Sequence, residues 1–246
     1  MSKRLKLTIA YDGTPFRGWQ SQRTADSVQD VIEKALAKIC KNPVRLHGSG
    51  RTDAGVHALG QIAHADVDRP LEILEWRRAL NNWLPQEIRI LNAQFVPETF
   101  HARFSAMGKE YRYEIYNGEV LPPHLFRTVW HNRWPFDADL LRKAMHAFIG
   151  THDFAAFSAK RAVPVDDTHR TIEHIRVVIK GPLIRLTFIG DGFLYKMVRM
   201  LTAAAMQVAC GKETFRGMSQ RLSHPESAVN PPVAPAKGLT LVRVLY

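Results

Sequence analysis

The sequence predicts an α+β protein made of two ferredoxin-like halves, each ordered β-α-β-β-α-β, side by side in an extended, mostly antiparallel sheet with a central cleft between them. Three observations lead there. Runs of period-two apolar alternation are interspersed with longer runs of helical period. The same order of element types occurs twice, before and after about residue 105, without a close repeat in sequence. With 246 residues, each half is long enough to bury its own core. The expected domains are therefore 1–105 and 106–246, with a single unbroken sheet as the competing arrangement.

Leu5, Leu7, Ile9 and Tyr11 alternate as a first strand and run into the turn-rich DGTPFRGWQSQ. A helix starts with Ser27 as N-cap and Asp30 at the third position. Val28, Val31, Ile32, Ala35, Leu36 and Ile39 keep helical spacing until Asn42-Pro43 stops it. A short strand is expected at 43–48, and another at 61–67 after a glycine-rich loop. A helix at 71–84 puts Ile73, Trp76, Leu80 and Trp83 on one face, and a strand at 88–96 closes the half.

In the second half, EYRYEIY at 110–116 alternates as a strand. Asp137 caps a helix whose stripe is Leu140, Leu141, Met145 and Phe148, with Gly150 beyond it. Strands at 171–180 and 183–189 flank the turn pair Gly181-Pro182. A helix at about 193–210 ends at Gly211, and after a polar connection residues 239–245 form the last strand.

Composition narrows the function classes. Hydrophobic residues make up 46% and charged residues 23%, proportions usual for a soluble globular protein. No apolar run reaches 18 residues, so no membrane partner is expected. The N-terminus MSKRLKLTIAY lacks the apolar core of a signal peptide. Cys40 and Cys210 are the only cysteines, which fits a reducing compartment and no disulfide framework. The net charge of +11 and pI near 9.9 favour a phosphate-bearing partner such as nucleic acid. Arg17-Gly18-Trp19, Trp76-Arg77-Arg78 and Arg133-Trp134 mix cations with aromatics in a way that suits RNA.

The densest motif is HGSGRTDAGVHALGQ at 47–61. It is not a Walker loop, because Val56-His57 follows Gly55 where Lys and Ser/Thr are needed. It is not a dinucleotide fingerprint, because Asp53 stands where the third glycine belongs. No Cys-x-x-Cys or His-Glu-x-x-His spacing offers a zinc site. What remains is Asp53 on a loop between strands, with Arg51 two residues before it. Glycines permit positive φ and close backbone approach there, and a neighbouring arginine favours the ionised carboxylate, a nucleophile or base rather than an acid. The residues alone reach a basic, two-lobed protein with a candidate catalytic aspartate; a turn aspartate accepting backbone hydrogen bonds accounts for the same spacing.

The motif, however, closely resembles the signature of the tRNA pseudouridine synthase A family. The likeness runs through LTIAYDGTPFRGWQSQ, SVQDVIEKAL, FHARFSAMGKEYRYEIYN, GDGFLYKMVRM and PAKGLTLVRVLY, and so covers nearly the whole chain. It implies conversion of uridine to pseudouridine at positions 38, 39 and 40 of the tRNA anticodon arm, by a cytoplasmic homodimer that holds tRNA across both subunits and needs no metal, nucleotide, redox or other small-molecule cofactor. Asp53 matches the family's catalytic aspartate. Arg51 matches the motif arginine expected to pair with Asp53 and help hold the extruded base, Tyr111 the active-site tyrosine that packs on uracil, and Arg199 an arginine reaching the site from the second domain. His57 and Gln61 are expected to fix the loop. Lys3, Arg4, Arg17, Arg23, Arg77 and Arg78 are plausible phosphate contacts. Two departures stand out: Met200 and Ala203–Ala205 replace the asparagine and glycine-containing helix usual after Arg199, and 159–170 matches no motif. The competing classes are a non-catalytic RNA-binding module, which lacks its RNP-like aromatic strand here, and a metal-dependent RNA hydrolase, which lacks a carboxylate cluster.

Overall fold

Strand β1 (Lys3–Tyr11) buries alternate residues, so Leu5, Leu7, Ile9 and Tyr11 face the core while their neighbours are part-exposed. This is the half-buried pattern that period-two alternation encodes. The computed structural model describes residues 2–23, 26–159, 167–227 and 231–246; most of the unmatched 159–170 segment, residues 160–166, lies outside them. Two compact units emerge, one of Met1–Met107 with Thr240–Tyr246, the other of Gly108–Leu239.

In the first unit, β1 leads to α1 (Val28–Cys40), β2 (His47–Gly48), β3 (His57–Val67), α2 (Ile73–Trp83) and β4 (Ile88–Val96). β1 pairs antiparallel with both β3 and β4, and β2 pairs antiparallel with β3. Ser27 caps α1 in the expected box, its hydroxyl accepting from the Asp30 N–H while the Asp30 carboxylate accepts from the Ser27 N–H. β2 is two residues long rather than the six expected at 43–48, and β3 starts at His57 rather than 61. Trp83, expected inward, is 55% exposed, because Leu84 takes the buried position at the helix end. Its ring instead carries the Lys38 ammonium 4.3 Å from the centroid, a cation–π contact worth about 0.5–1 kcal/mol at such a site.

The second unit contains β5 (Gly108–Tyr116), β6 (Trp130–His131), α3 (Ala138–His146), β7 (Gly150–Asp153), β8 (His169–Lys180), β9 (Leu183–Gly190), α4 (Met197–Ala209) and α5 (Phe215–Ser223). β9 lies between β5 and β8, antiparallel to both, and β7 extends the sheet beyond β8. Asp137 caps α3, and Leu141, Met145 and Phe148 are buried as expected, although Leu140 is 36% exposed. α4 is buried almost all round, and Met200 and Ala203–Ala205 sit inside the core. Small side chains there let neighbours close on the helix. α4 starts at Met197 because Lys196 takes a left-handed conformation, φ 61°, ahead of it.

β10 (Leu239–Leu245), allotted by sequence order to the second half, pairs parallel with β3 through Thr240–His57 and Leu241–Ala58. The Met107 N–H donates to Leu245 O, and the Tyr246 hydroxyl to Ala102 O. Residues 240–246 therefore group with the first unit. Among the described residues no helix is long and apolar enough to cross a membrane.

Candidate active site

Asp53 occupies a four-residue turn between β2 and β3. The Val56 N–H donates to Asp53 O at 3.1 Å, and Gly55 sits at φ 78°, the left-handed third position of a type II turn. Asp53 is half-buried, between buried Thr52 and exposed Ala54. Three sets of contacts hold the turn, and each originates in a stretch quoted above.

The first is a hub at Gln61, fully buried on β3. Its amide oxygen accepts from Ser49 Oγ at 2.6 Å and from Ile62 N at 3.2 Å, and its amide nitrogen donates to Gly50 O at 3.0 Å. Both residues that lead into Arg51-Thr52-Asp53 are thereby tied to β3.

The second is the loop after β1. Tyr11 Oη lies 2.8 Å from Thr52 Oγ1. The Trp19 N–H donates to Thr52 O at 3.1 Å. Trp19 is buried over Gly48, where an added Cβ would fall 2.3 Å from its Nε1. Gly18, at φ 88°, leaves 2.6 Å between a notional Cβ and Thr52 O, and Gly13 only 2.0 Å to Val56 O. No other residue fits at such approaches. His57 Nδ1 lies 3.2 Å from both Gly13 N and Asp12 Oδ1, which pins the exit of the turn.

The third is the start of α1. The Val28 and Gln29 N–H groups donate to Gly18 O and Trp19 O. The buried Gln29 side chain accepts from Ser21 N and donates to Leu46 O. The free N–H groups of a helix start thus fix the loop that packs on the backbone of the Asp53 turn.

The other expected site residues are distributed as follows. Arg51 is exposed, and its Nε donates to Gln20 Oε1 at 3.2 Å. In the second unit, Tyr111 is 8% exposed on β5, opposite Phe188, with its ring edge-to-face to Phe193 at 5.2 Å. Phe193 belongs to GDGF, where Asp191 accepts from Thr171 N and its own N–H returns to Thr171 O. Arg199 is half-buried on α4, with Nε donating to Ala234 O at 2.7 Å and its carbonyl accepting from Ala234 N at 3.3 Å. Tyr113, two residues from Tyr111 on the same face, donates to Pro235 O at 2.7 Å and packs on Gly238, whose notional Cβ would meet its ring at 2.6 Å. Burial raises the Tyr113 phenol's pKa, and the Arg199 charge partly offsets this.

A family profile described as tRNA pseudouridine synthase matches residues 7–105 and 144–246. The chain belongs to the tRNA pseudouridine synthase family. It is 46% identical to tRNA pseudouridine synthase A of Akkermansia muciniphila, over 99% of this chain and 95% of that one. It is 39% identical to tRNA pseudouridine synthase A 1 of Desulfotalea psychrophila, over 99% and 100%, and 39% identical to tRNA pseudouridine synthase A of a Geobacillus species, over 100% and 99%. Among solved structures, a chain of a Cbf5-Nop10-Gar1 complex aligns with TM-score 0.40 and 13% identity, over 82% of this chain and 44% of that one, a likeness too loose to inform the fold. In this member of the tRNA pseudouridine synthase family, what motif reading missed is that Tyr11, Gly13, Gly18 and Trp19, all within LTIAYDGTPFRGWQSQ, hold the Asp53 turn. The signal was present as two glycines ahead of a tryptophan in a turn-rich stretch, but its target lies some 40 residues away in sequence, as the 41-residue separation of Tyr11 and Thr52 shows.

Proposed function

We propose that this chain isomerises uridine to pseudouridine at positions 38, 39 and 40 of the tRNA anticodon arm, with Asp53 as the catalytic carboxylate. The near full-length likeness to tRNA pseudouridine synthases A carries the reading, and the rigid turn around Asp53 supports the residue assignment. In the reaction the N1–C1′ bond breaks, uracil turns within the site and C5–C1′ forms; C5 loses a proton and N1 gains one. No oxidation or phosphoryl transfer occurs, so the chemistry needs positioning and a carboxylate. The target base leaves the stack before it reacts, since its atoms are shielded in a paired stem.

Asp53 attacks C1′, adds to C6, or removes a ribose proton to give a glycal; the turn suits each, because it fixes the backbone that carries the carboxylate. Arg51, on the same loop, holds the displaced base or its backbone. Tyr111 packs on the uracil, and Arg199 contributes a guanidinium to the bound nucleotide. The protein acts in the cytoplasm as a homodimer.

The test is pseudouridine mapping on unmodified tRNA incubated with the wild type and with Asp53→Ala. Conversion by the wild type and none by the variant is the expected result. Conversion by Asp53→Ala would sink the residue assignment, and tRNA binding by the wild type without conversion would establish a binding module instead. Sedimentation velocity on the wild type, expected to give twice the chain mass of 27.9 kDa, tests the dimer.

A further inference from the structure

Between β4 and β5 the chain makes a turn over His101–Ser105 that serves no part of the site above. Its polar groups are satisfied internally. The Ser105 N–H donates to His101 O at 2.9 Å, and the His101 N–H to Ser105 Oγ at 3.0 Å. Arg103 and Phe104 both donate their N–H to His101 Nδ1, at 3.1 and 3.3 Å. Ala102 N donates to His64 Nδ1 at 3.1 Å, and Ala102 O accepts from the Tyr246 hydroxyl. A turn so tied holds its side chains in fixed directions.

It holds a phenylalanine out of the core. Phe104 is 77% exposed, although its ring is not adrift. One face lies on the His101 imidazole, centroids 4.3 Å apart and planes 31° apart. His101 in turn meets His64 edge-to-face at 4.7 Å, and His64 stacks on His47 at 5.1 Å and 20°. The Arg103 guanidinium stands 5.6 Å from the Phe104 centroid. The end of an aromatic cluster is thus open to solvent beside a cation. That combination is how sequence-tolerant RNA sites are built, since a base extends the stack while an adjacent guanidinium meets its phosphate.

We propose that Phe104 is a stacking platform for a base of the bound tRNA, remote from the reacting nucleotide, with Arg103 on the adjoining phosphate. His64 lies seven residues along β3 from His57, at the exit of the Asp53 turn, which is about 23 Å at the rise of a strand. The platform therefore meets RNA several nucleotides from the reacting uridine. Charge selects RNA over a second copy of this chain as the occupant. The chain carries +11, and although Arg4 is paired with Asp66, Arg103 stands on the turn itself; burial first, then His47, Arg4 and Arg103, lowers the pKa of His101. Two such faces would repel one another, whereas a polyanion relieves them. The proposal rests on the reading of this chain as a tRNA-modifying enzyme, but its readout is binding.

The test uses the full chain and an unmodified tRNA transcript. Phe104→Ala should weaken tRNA binding roughly tenfold, as loss of one base–aromatic stack does, with KM rising more than the saturated rate falls. Phe104→Trp should restore affinity, and its added indole emission should be quenched by tRNA but not by inorganic polyphosphate. Unchanged affinity in Phe104→Ala overturns the platform. So does equal quenching by polyphosphate, which would make the contact purely ionic, or a smaller sedimenting species in Phe104→Ala, which would make the face a contact between copies. Asp53→Ala should keep wild-type tRNA affinity, so failure of the catalytic assignment and failure of the platform show in different measurements.

Discussion

The hydroxyls of Tyr11 and Thr52 lie 2.8 Å apart in the buried floor beneath the Asp53 turn. Tyr11 closes β1 and Thr52 immediately precedes the candidate catalytic residue, so one hydrogen bond ties the end of a core strand to the carboxylate's own backbone. Burial raises the Tyr11 pKa, only partly offset by hydrogen bonds with Thr52 and Gln61, and the phenol stays protonated throughout the working range. A side chain that fixes a reacting group within a few tenths of an ångström contributes to rate more than to binding.

Tyr11→Phe should therefore lower kcat about 10- to 100-fold with little change in KM. Its stability cost should be about 1–2 kcal/mol, the usual range for a buried hydroxyl deprived of its partner. Thr52→Val should do the same, and the double variant should be little worse than either, because both remove one interaction. Steady-state kinetics on a tRNA transcript, with melting curves alongside, check this. Additive losses in the double variant would show that the two hydroxyls act separately.

Gly13 and Gly211 separate two ways in which a glycine is needed. At Gly13 a Cβ would fall 2.0 Å from Val56 O, so Gly13→Ala must push the exit of the Asp53 turn. It should cost on the order of 2–3 kcal/mol, as overpacking does, and remove most activity. Gly211 has open space around its notional Cβ but sits at φ 68°. Gly211→Ala should cost about 1 kcal/mol through backbone strain alone and leave kcat as it is. Melting temperatures and kcat for the pair test the contrast.

Gln61→Leu keeps the volume of the buried hub but leaves Ser49 Oγ and Gly50 O without their partner from β3. About 2–4 kcal/mol should be lost, one desolvation penalty for each abandoned group. Proteolysis should then cut within 49–55 faster than in the wild type, with the rest of the chain resistant. Cutting spread over the whole chain would instead indicate global unfolding.

Much of this was legible in the sequence because it is local. Ser27 and Asp30 announce their own capping box, and the alternation of β1 and β5 points Tyr11 and Tyr111 inward without knowledge of any partner. What was not legible depends on distant contacts. The Gly13–Gly18–Trp19 stretch reads as a loop whose Trp19 suits RNA beside Arg17, whereas Trp19 is buried, and its use as the clamp on Thr52 needs a 40-residue return of the chain. α5 was read as polar connection because Met218 is its one buried residue, too little for an apolar stripe. β10 has an unmistakable strand pattern, but pattern does not say which strand it joins, and its parallel pairing with β3 moved it to the first unit. Lys196 shortened α4 through a left-handed φ that lysine rarely adopts. For Asp53 itself, physics reached an aspartate on a constrained loop, and only likeness to relatives supplied a substrate.

The histidine cluster gives the chain a pH limit of its own. His64 is held neutral, its pKa lowered to about 4 by burial first and then by the charges of His101, Arg4 and His47. Its Nδ1 accepts from Ala102 N, which a proton on that nitrogen would abolish. The unfolded chain takes up this proton near pH 6.5 and the folded chain only near 4, so the unfolded state binds more protons between those values. Stability is thus fully present above about pH 6.5 and falls as the pH drops towards 4, by about 3 kcal/mol from this group. His64→Asn, whose side-chain oxygen can accept from Ala102 N in place of Nδ1, should remove much of that slope while losing some packing at pH 7.5. Urea unfolding of both proteins at pH 7.5, 6 and 5 measures the slopes. Parallel curves for the wild type and the variant would show that the pH dependence arises elsewhere.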